Sequence, residues 1–219
     1  MPPASAPLHA IPTAALPCAP SKIIGIGRNY RAHAIELGHE IPTVPLYFLK
    51  APSSLIGSGG TVFLPAESER VDYEGELGIV IGQRARRVDV ADALNYVAGY
   101  VVACDVTARD LQEKDGQWSR AKGFDTFCPL SDRVVEVADP DNLLLTTTVN
   151  GVLRQSSNTG DMVFGTATLV SYVSQAMTLL PGDLILTGTP SGVGPLQAGD
   201  QVTVAISEIG SLSFSVAVE

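Results

Sequence analysis

Read for its alternation of apolar and polar positions, the chain breaks into many short extended segments and few helices. Lys22 to Gly27 alternates as a short strand, and Asn29 to Leu37 has helical character with Gly38 as its stop. Leu46 to Leu49 is an apolar run broken by Ala51-Pro52. Glu74 to Ile81 reads as a strand closed by Gly82, and Asp89 to Leu94 as a short helix. Tyr96 to Cys104 is a β-rich run that delivers Asp105 at its end, while Thr107 to Asp115 is polar and mixed, a helix or a lid. Leu143 to Leu153 is a hairpin, because Asn150-Gly151 between β-formers is the preferred two-residue turn. Phe164 to Leu179 has helical spacing and stops before Pro181-Gly182; Asp183 to Leu186 is then a strand entering the loop Thr187 to Gly194. Gln201 to Ile206 and Ser211 to Val218 pair as a closing hairpin. The pattern predicts an α+β chain dominated by strands and tight turns.

Composition narrows the picture. With 219 residues the chain is long enough for one domain with a substantial core. Residues 1–20, rich in Pro and Ala and without a basic n-region, read as an extended arm; residues 21–219 read as one domain with no internal repeat or linker. Hydrophobic residues at 45% against 17% charged exclude disorder as the main state, and no apolar run reaches the length of a bilayer span. The net charge of −9 argues against nucleic acid, whose binding rests on neutralising phosphates with Lys and Arg. It leaves room for an acidic substrate, since a metal and a few local cations reverse the field within a pocket. Three cysteines (Cys18, Cys104 and Cys128), without CxxC spacing, suit a reduced, cytoplasmic protein.

The chemistry concentrates in Asp72-Tyr73-Glu74-Gly75-Glu76-Leu77. On a strand, Glu74 and Glu76 project to one face, and carboxylates that close require a proton or a cation between them. With Asp105 they form an all-oxygen set, which selects Mg²⁺, Mn²⁺ or Ca²⁺ over zinc and leaves about half of an octahedral shell for water and substrate. Spacing alone is equally compatible with the solvent face of an edge strand. His33 and Glu36, three apart on a predicted helix, have the spacing of a His–carboxylate base, although spacing alone favours a surface pair. Arg28, Lys50, Arg109, Gln112 and Lys122 supply cations and donors that are conspicuous in an acidic chain. The Thr187–Gly194 loop, with its glycines and threonines, is either a carboxylate cradle or a plain turn. Gly25-Ile26-Gly27 lacks the third glycine and the βαβ context of a dinucleotide fingerprint and is rejected as one.

Together these segments resemble the fumarylacetoacetate hydrolase family. The matching stretches are Gly27-Arg28-Asn29-Tyr30 with His33 and Glu36, Phe48-Leu49-Lys50, the Asp72 to Leu77 motif, and Gly99-Tyr100 through Asp105, Thr107, Arg109-Asp110 and Gln112. They continue with Ala121 to Pro129, Val149-Asn150-Gly151, Leu179 to Asp183 and Thr187 to Gly194, in the family's order, covering roughly Ser21 to the C-terminus. The resemblance implies a rolled mixed β-sheet with short helices, a Mg²⁺ or Mn²⁺ ion held by Glu74, Glu76 and Asp105, and a homodimer. It points to the short members that hydrolyse acylpyruvates or decarboxylate oxaloacetate, rather than to the enzymes with an extra N-terminal domain that act on fumarylacetoacetate. The implied activity is cleavage of a C–C bond in a small 2-oxo acid through a metal-stabilised enolate, with no nucleic-acid or membrane partner. In it His33, held by Glu36, activates water, Lys122 adds positive charge, and Arg28, Arg109, Gln112 and Thr189 orient the substrate. Close relatives isomerise or decarboxylate hydroxymuconate-type diacids, which is the alternative activity. An alternative of a different class is a non-catalytic metal- or carboxylate-binding module; loss of a metal ligand or of the dyad would favour it, and none is lost.

Overall fold

The computed structural model describes residues 16–36, 38 and 40–219. It is an α+β fold built on mixed sheets. The largest has seven strands: β1 (Ile23–Gly27), β2 (Leu46–Lys50), β3 (Leu55–Gly57), β6 (Gly75–Ile81), β7 (Val97–Cys104), β9 (Cys128–Leu130) and β12 (Leu184–Leu186), in the order β2-β1-β12-β6-β7-β9-β3. A five-stranded sheet runs β11 (Val152–Asn158), β10 (Leu144–Val149), β14 (Gln201–Ile206), β15 (Gly210–Val218) and β4 (Thr61–Leu64). A three-stranded patch joins β13 (Gly194–Pro195), β5 (Val71–Tyr73) and β8 (Thr107–Ala108). Most pairs are antiparallel, but β1–β12, β3–β9 and β4–β15 are parallel.

The sheets roll around one main core. Leu77, Ile79 and Ile81 of β6 and Tyr100, Val102 and Cys104 of β7 face Leu145, Val204, Leu212 and Phe214 of the five-stranded sheet. The alternate residues Val80, Val101 and Ala103 face a smaller cluster with Ile23, Leu184 and Leu186. Strands β6 and β7 are therefore covered on both sides, which is why they read as unbroken apolar runs. Strands β14 and β15 bury every second residue and turn the others outward.

The helices are short: α1 (Arg31–Glu36), α2 (Arg109–Asp115), α3 (Ser119–Gly123) and α4 (Thr166–Ala176). Helix α4 starts two residues later and ends three earlier than its apolar spacing predicts, because Gly165 and Met177 are extended. The helix expected over Asp89–Leu94 is a 3₁₀ segment, Val90–Tyr96. Thr107 and Ala108 pair as a strand before α2 begins, so the expected helix-or-lid segment is a helix only from Arg109. Asn150 and Gly151 both have positive φ, +52° and +76°, as a type I′ hairpin turn demands. Of the arm expected over residues 1–20, residues 1–15 lie outside the described residues, as does Leu37 of the predicted first helix. Leu16 is buried in the smaller core and the Cys18 thiol donates to the Pro181 carbonyl. Among the described residues no helix is long and apolar enough to cross a membrane.

Candidate metal centre and substrate pocket

The acidic floor follows from strand register. Gly75 pairs with Cys104 across the antiparallel β6–β7 ladder, and the Asp105 N–H donates to the Glu74 carbonyl at 2.8 Å. Glu74, Glu76 and Asp105 are thereby brought together, 4%, 1% and 1% exposed, each with a carboxylate oxygen within 4.8 Å of the others. The alternative of a solvent-facing edge strand is excluded, since β6 lies between β12 and β7. Between the two glutamates only glycine fits: a Cβ on Gly75 would stand 2.3 Å from Thr147 Oγ1. The Gly75 N–H donates to Gln155 Oε1 (3.0 Å), and its carbonyl accepts from Thr189 Oγ1 (2.9 Å). Gln155 Nε2 closes this brace by donating to Thr189 Oγ1 and the Pro190 carbonyl at 2.8 and 2.9 Å.

Cations surround the floor. Lys122 Nζ donates to Glu74 Oε2 and Asp105 Oδ2 at 2.7 and 2.6 Å, and Lys50 Nζ to Asp105 Oδ1 at 2.6 Å and to the Lys122 carbonyl. Arg109 reaches Glu74 Oε1 (2.6 Å) through Nη2, Asp72 Oδ2 (3.0 Å) through Nε and Gln112 Oε1 (2.7 Å) through Nη1. Burial opposes ionisation of Glu74, but Lys122 and Arg109 overcome it and hold this carboxyl below the usual carboxylate range. Glu76 differs: it accepts the Gly188 N–H at 2.7 Å but forms no ion pair among the described residues. Burial, with Asp105 and Glu74 alongside, pushes its carboxyl well above the usual range. Burial also works against the charge on Lys122, yet Asp105 and Glu74 raise its ammonium above the ordinary lysine value. A hard divalent cation fits this set, because three buried oxygen donors converge on a point where one of them lacks a counter-charge.

Above the floor is a cavity of about 40 Å³, room for roughly three waters. His33, Arg28, Arg109, Gln112, Lys122 and Thr189 line it with Glu74 and Glu76. Asp105 lies behind Lys122, and Glu36 behind His33, with Oε2 3.2 Å from His33 Nδ1. The surface-pair reading of these two is only half right, since His33 is buried and Glu36 exposed. Arg28, at the end of β1, takes φ +58°, and its buried Nε has no hydrogen-bond partner among the described residues. The Thr189 hydroxyl, expected to orient substrate, is already engaged with Gly75 and Gln155.

Opposite the charges stands an apolar wall. Phe48 meets Trp118 edge-on at 5.3 Å, with Lys122 Nζ 5.1 Å from the Phe48 ring centre. A Cβ on Gly25 would lie 2.2 Å from Phe48, and one on Gly27 2.6 Å from Trp118. The rejected dinucleotide fragment thus has another use, making room for two aromatic rings. Trp118 stands at the start of α3, and Asp115, three residues before it, pairs with Arg120. Sequence reasoning passed over Gln155 and the part played by Asp72, which holds Arg109 and Arg70, and it counted Lys50 among the candidate cations without assigning it a partner. A buried charge in an otherwise apolar context, such as Lys50 after Leu46–Leu49, is the signal that was available.

A rolled mixed sheet with a carboxylate floor, buried cations and a histidine above it defines an enzyme class built around a divalent-metal-type centre. The chain belongs to the fumarylacetoacetate hydrolase family, residues 22–217 matching the family described as "Fumarylacetoacetate (FAA) hydrolase C-terminal". It is 46% identical over 202 residues to the mitochondrial oxaloacetate tautomerase FAHD1 of Arabidopsis thaliana, covering 90% of this chain and 91% of that protein. It is 46% identical over 193 residues to the mitochondrial oxaloacetate decarboxylase of Dictyostelium discoideum, covering 85% and 88%. Among solved structures, 5-carboxymethyl-2-hydroxymuconate delta-isomerase from Mycobacterium smegmatis superposes with a TM-score of 0.87 at 47% identity, covering 94% of this chain and 82% of that one.

Proposed function

We propose that this chain is a Mg²⁺- or Mn²⁺-dependent enzyme that cleaves a C–C bond in small 2-oxo acids, decarboxylating oxaloacetate or hydrolysing acylpyruvates. The observation that carries the reading is the buried Glu74–Glu76–Asp105 floor with Lys122 against it. Glu74, Glu76 and Asp105 would hold the divalent ion, which would supply Lewis acidity toward a 2-oxo acid. Lys122 contributes a fixed positive charge next to the oxygen on which negative charge develops, a term typically worth a few kcal/mol. Arg109 and Gln112, tied to each other, and Arg28 at the rim present donors to the substrate carboxylates. Phe48 and Trp118 exclude water from one side, and the small cavity favours short acids.

For hydrolysis, His33 takes a proton from water as its oxygen bonds to the distal carbonyl; the C–C bond then breaks, and His33 returns that proton to the departing carbon, giving a carboxylate and pyruvate. For oxaloacetate the same bond polarisation releases carbon dioxide, and a proton returns to the carbon to give pyruvate. A second reading, supported by relatives named tautomerase and isomerase, is that His33 only shifts a proton between oxygen and carbon of the same acids or of hydroxymuconate-type diacids. The reading includes a cytoplasmic homodimer, checked by fractionation and light scattering.

The test is turnover of oxaloacetate and acetylpyruvate side by side, with Mg²⁺, Mn²⁺ or chelator, alongside the ultraviolet signal of the oxaloacetate enol. Carbon dioxide or acetate release that needs metal and is lost in Glu74→Ala is expected. Enol–keto exchange without bond cleavage would replace it with the second reading.

A further inference from the structure

Gly192 is held on both sides, through each of the two peptides that flank it. Its N–H donates to Glu36 Oε1 and Oε2 at 3.1 and 3.2 Å, and its carbonyl accepts from Tyr73 Oη at 2.9 Å. Glu36 in turn meets His33 Nδ1 at 3.2 Å. Tyr73 is 4% exposed and pairs with Gly194 across β5–β13, one residue before the floor begins at Glu74. Gly192 has φ +97°, and a Cβ there would lie 2.2 Å from the Arg154 carbonyl oxygen, so the residue joining the two peptides is packed against β11 and must be glycine. Helix α1 has six residues, well short of the roughly 12–15 that an isolated helix needs to persist. Its place over the pocket must therefore come from what it is tied to.

We propose that Tyr73 and Gly192 are positioning residues for the His33–Glu36 dyad. The Tyr73 hydroxyl fixes the carbonyl on one side of Gly192, the N–H on its other side fixes the Glu36 carboxylate, and Glu36 orients the His33 ring. The dyad is in this way referenced to the strand that carries the carboxylate floor rather than to its own helix. Neither Tyr73 nor Gly192 lines the cavity above the floor, so both act through other groups. The inference rests on the reading of His33 as the proton-handling group, but it makes a separate statement about what sets that group in place.

Tyr73→Phe keeps the ring against Gly194 and removes one hydroxyl. In hydrogen exchange the α1 amides are expected to open about fivefold more often, the equilibrium equivalent of one net hydrogen bond, while strand amides keep their protection. Glu36→Ala is expected to open α1 at least as much, whereas Glu36→Gln, whose amide oxygen still accepts from Gly192, keeps it closed. With acetylpyruvate, Tyr73→Phe lowers kcat by a similar factor at unchanged KM. Unchanged α1 exchange in both Tyr73→Phe and Glu36→Ala would overturn the proposal, as would a rise spread evenly over the whole protein in Tyr73→Phe. A wild-type protein inactive on every 2-oxo acid, together with the α1-specific rise, would overturn the functional reading and leave the positioning role standing.

Discussion

Asn29→Ala removes a buried amide that ties three parts of the chain together. Asn29 Nδ2 donates to the Phe164 carbonyl at 3.0 Å and to the Thr187 carbonyl at 2.7 Å, while Oδ1 accepts the Phe164 N–H at 2.9 Å. The side chain has no solvent exposure, and its Cβ lies against Gly188, which has φ +98°. Truncation strands two groups at half-buried Phe164, each worth about 1 kcal/mol, and the fully enclosed Thr187 carbonyl, worth about 2 kcal/mol. The expected loss is on the order of 4 kcal/mol, or roughly 10 °C in melting temperature for a chain of this size. Urea unfolding gives the value directly from the shift in midpoint at constant slope. Asn29→Asp should be no better, because an ionised carboxylate cannot donate to either carbonyl and would be buried without a cation. A loss below about 1 kcal/mol at unchanged slope would refute the account, since three backbone groups must then find water or new partners at no cost.

The same packing sets other outcomes. Asp183, fully buried, accepts from the Ser21 and Leu180 N–H groups at 2.9 and 2.8 Å and from the Ser21 hydroxyl, and it pairs with Lys22. Asp183→Ala should cost about 3–5 kcal/mol in chemical unfolding, and a cost near zero would show that residues 21 and 22 are anchored otherwise. Mn²⁺ at about 100 times its dissociation constant should stabilise the protein by roughly 2.7 kcal/mol in a thermal scan, with chelator reversing the gain. Glu76→Ala should abolish that response; a retained response would place the ion elsewhere. Alkylation at neutral pH should label Cys18 alone, since Cys104 and Cys128 are fully buried, and more than one label on native protein would contradict that packing. Burial pushes the Cys128 thiol up to about 12 from an ordinary 9.0, so folded protein keeps a proton that unfolded chain releases. Stability should therefore decline as pH rises from 9 toward 12, read from urea midpoints, and Cys128→Ala should make the decline shallower, with Cys104, likewise pushed up by burial, carrying part of the remainder.

Elements whose signal lies within a few adjacent residues were legible: the Asn150-Gly151 turn, the alternation of β14 and β15, and the apolar runs of β6 and β7. Three-residue strands such as β3 and β9 were not, because they carry too few positions to show a period and exist only through their partners. The Glu74–Glu76 pair announced itself by its spacing. That Asp105 joins it depends on the β6–β7 register, and spacing could only place it at a strand end. Lys122 sits in a polar stretch and gained its role from the family resemblance rather than from any periodicity. Lys50 and Gln155 act across 55 and 80 residues of chain, distances over which composition says nothing. Tyr73 and Gly192 meet over 119 residues, and neither residue type marks itself out as a partner of the other.

The brace around Gly75 sets an order of events during synthesis. Glu74 and Glu76 leave the ribosome together, but Gln155, Gly188 and Thr189, which hold Gly75 and Glu76, follow about 80 to 115 residues later. Strand β12, which separates β1 from β6 in the finished sheet, is equally late. A nascent chain therefore has β7, Arg109 and Lys122 beside Glu74 early, but lacks the partners of Gly75 and Glu76 until residue 189 of 219 has emerged. Return of turnover after dilution from denaturant thus reports completion of the whole topology, and a fragment ending before Thr187 should regain none of it.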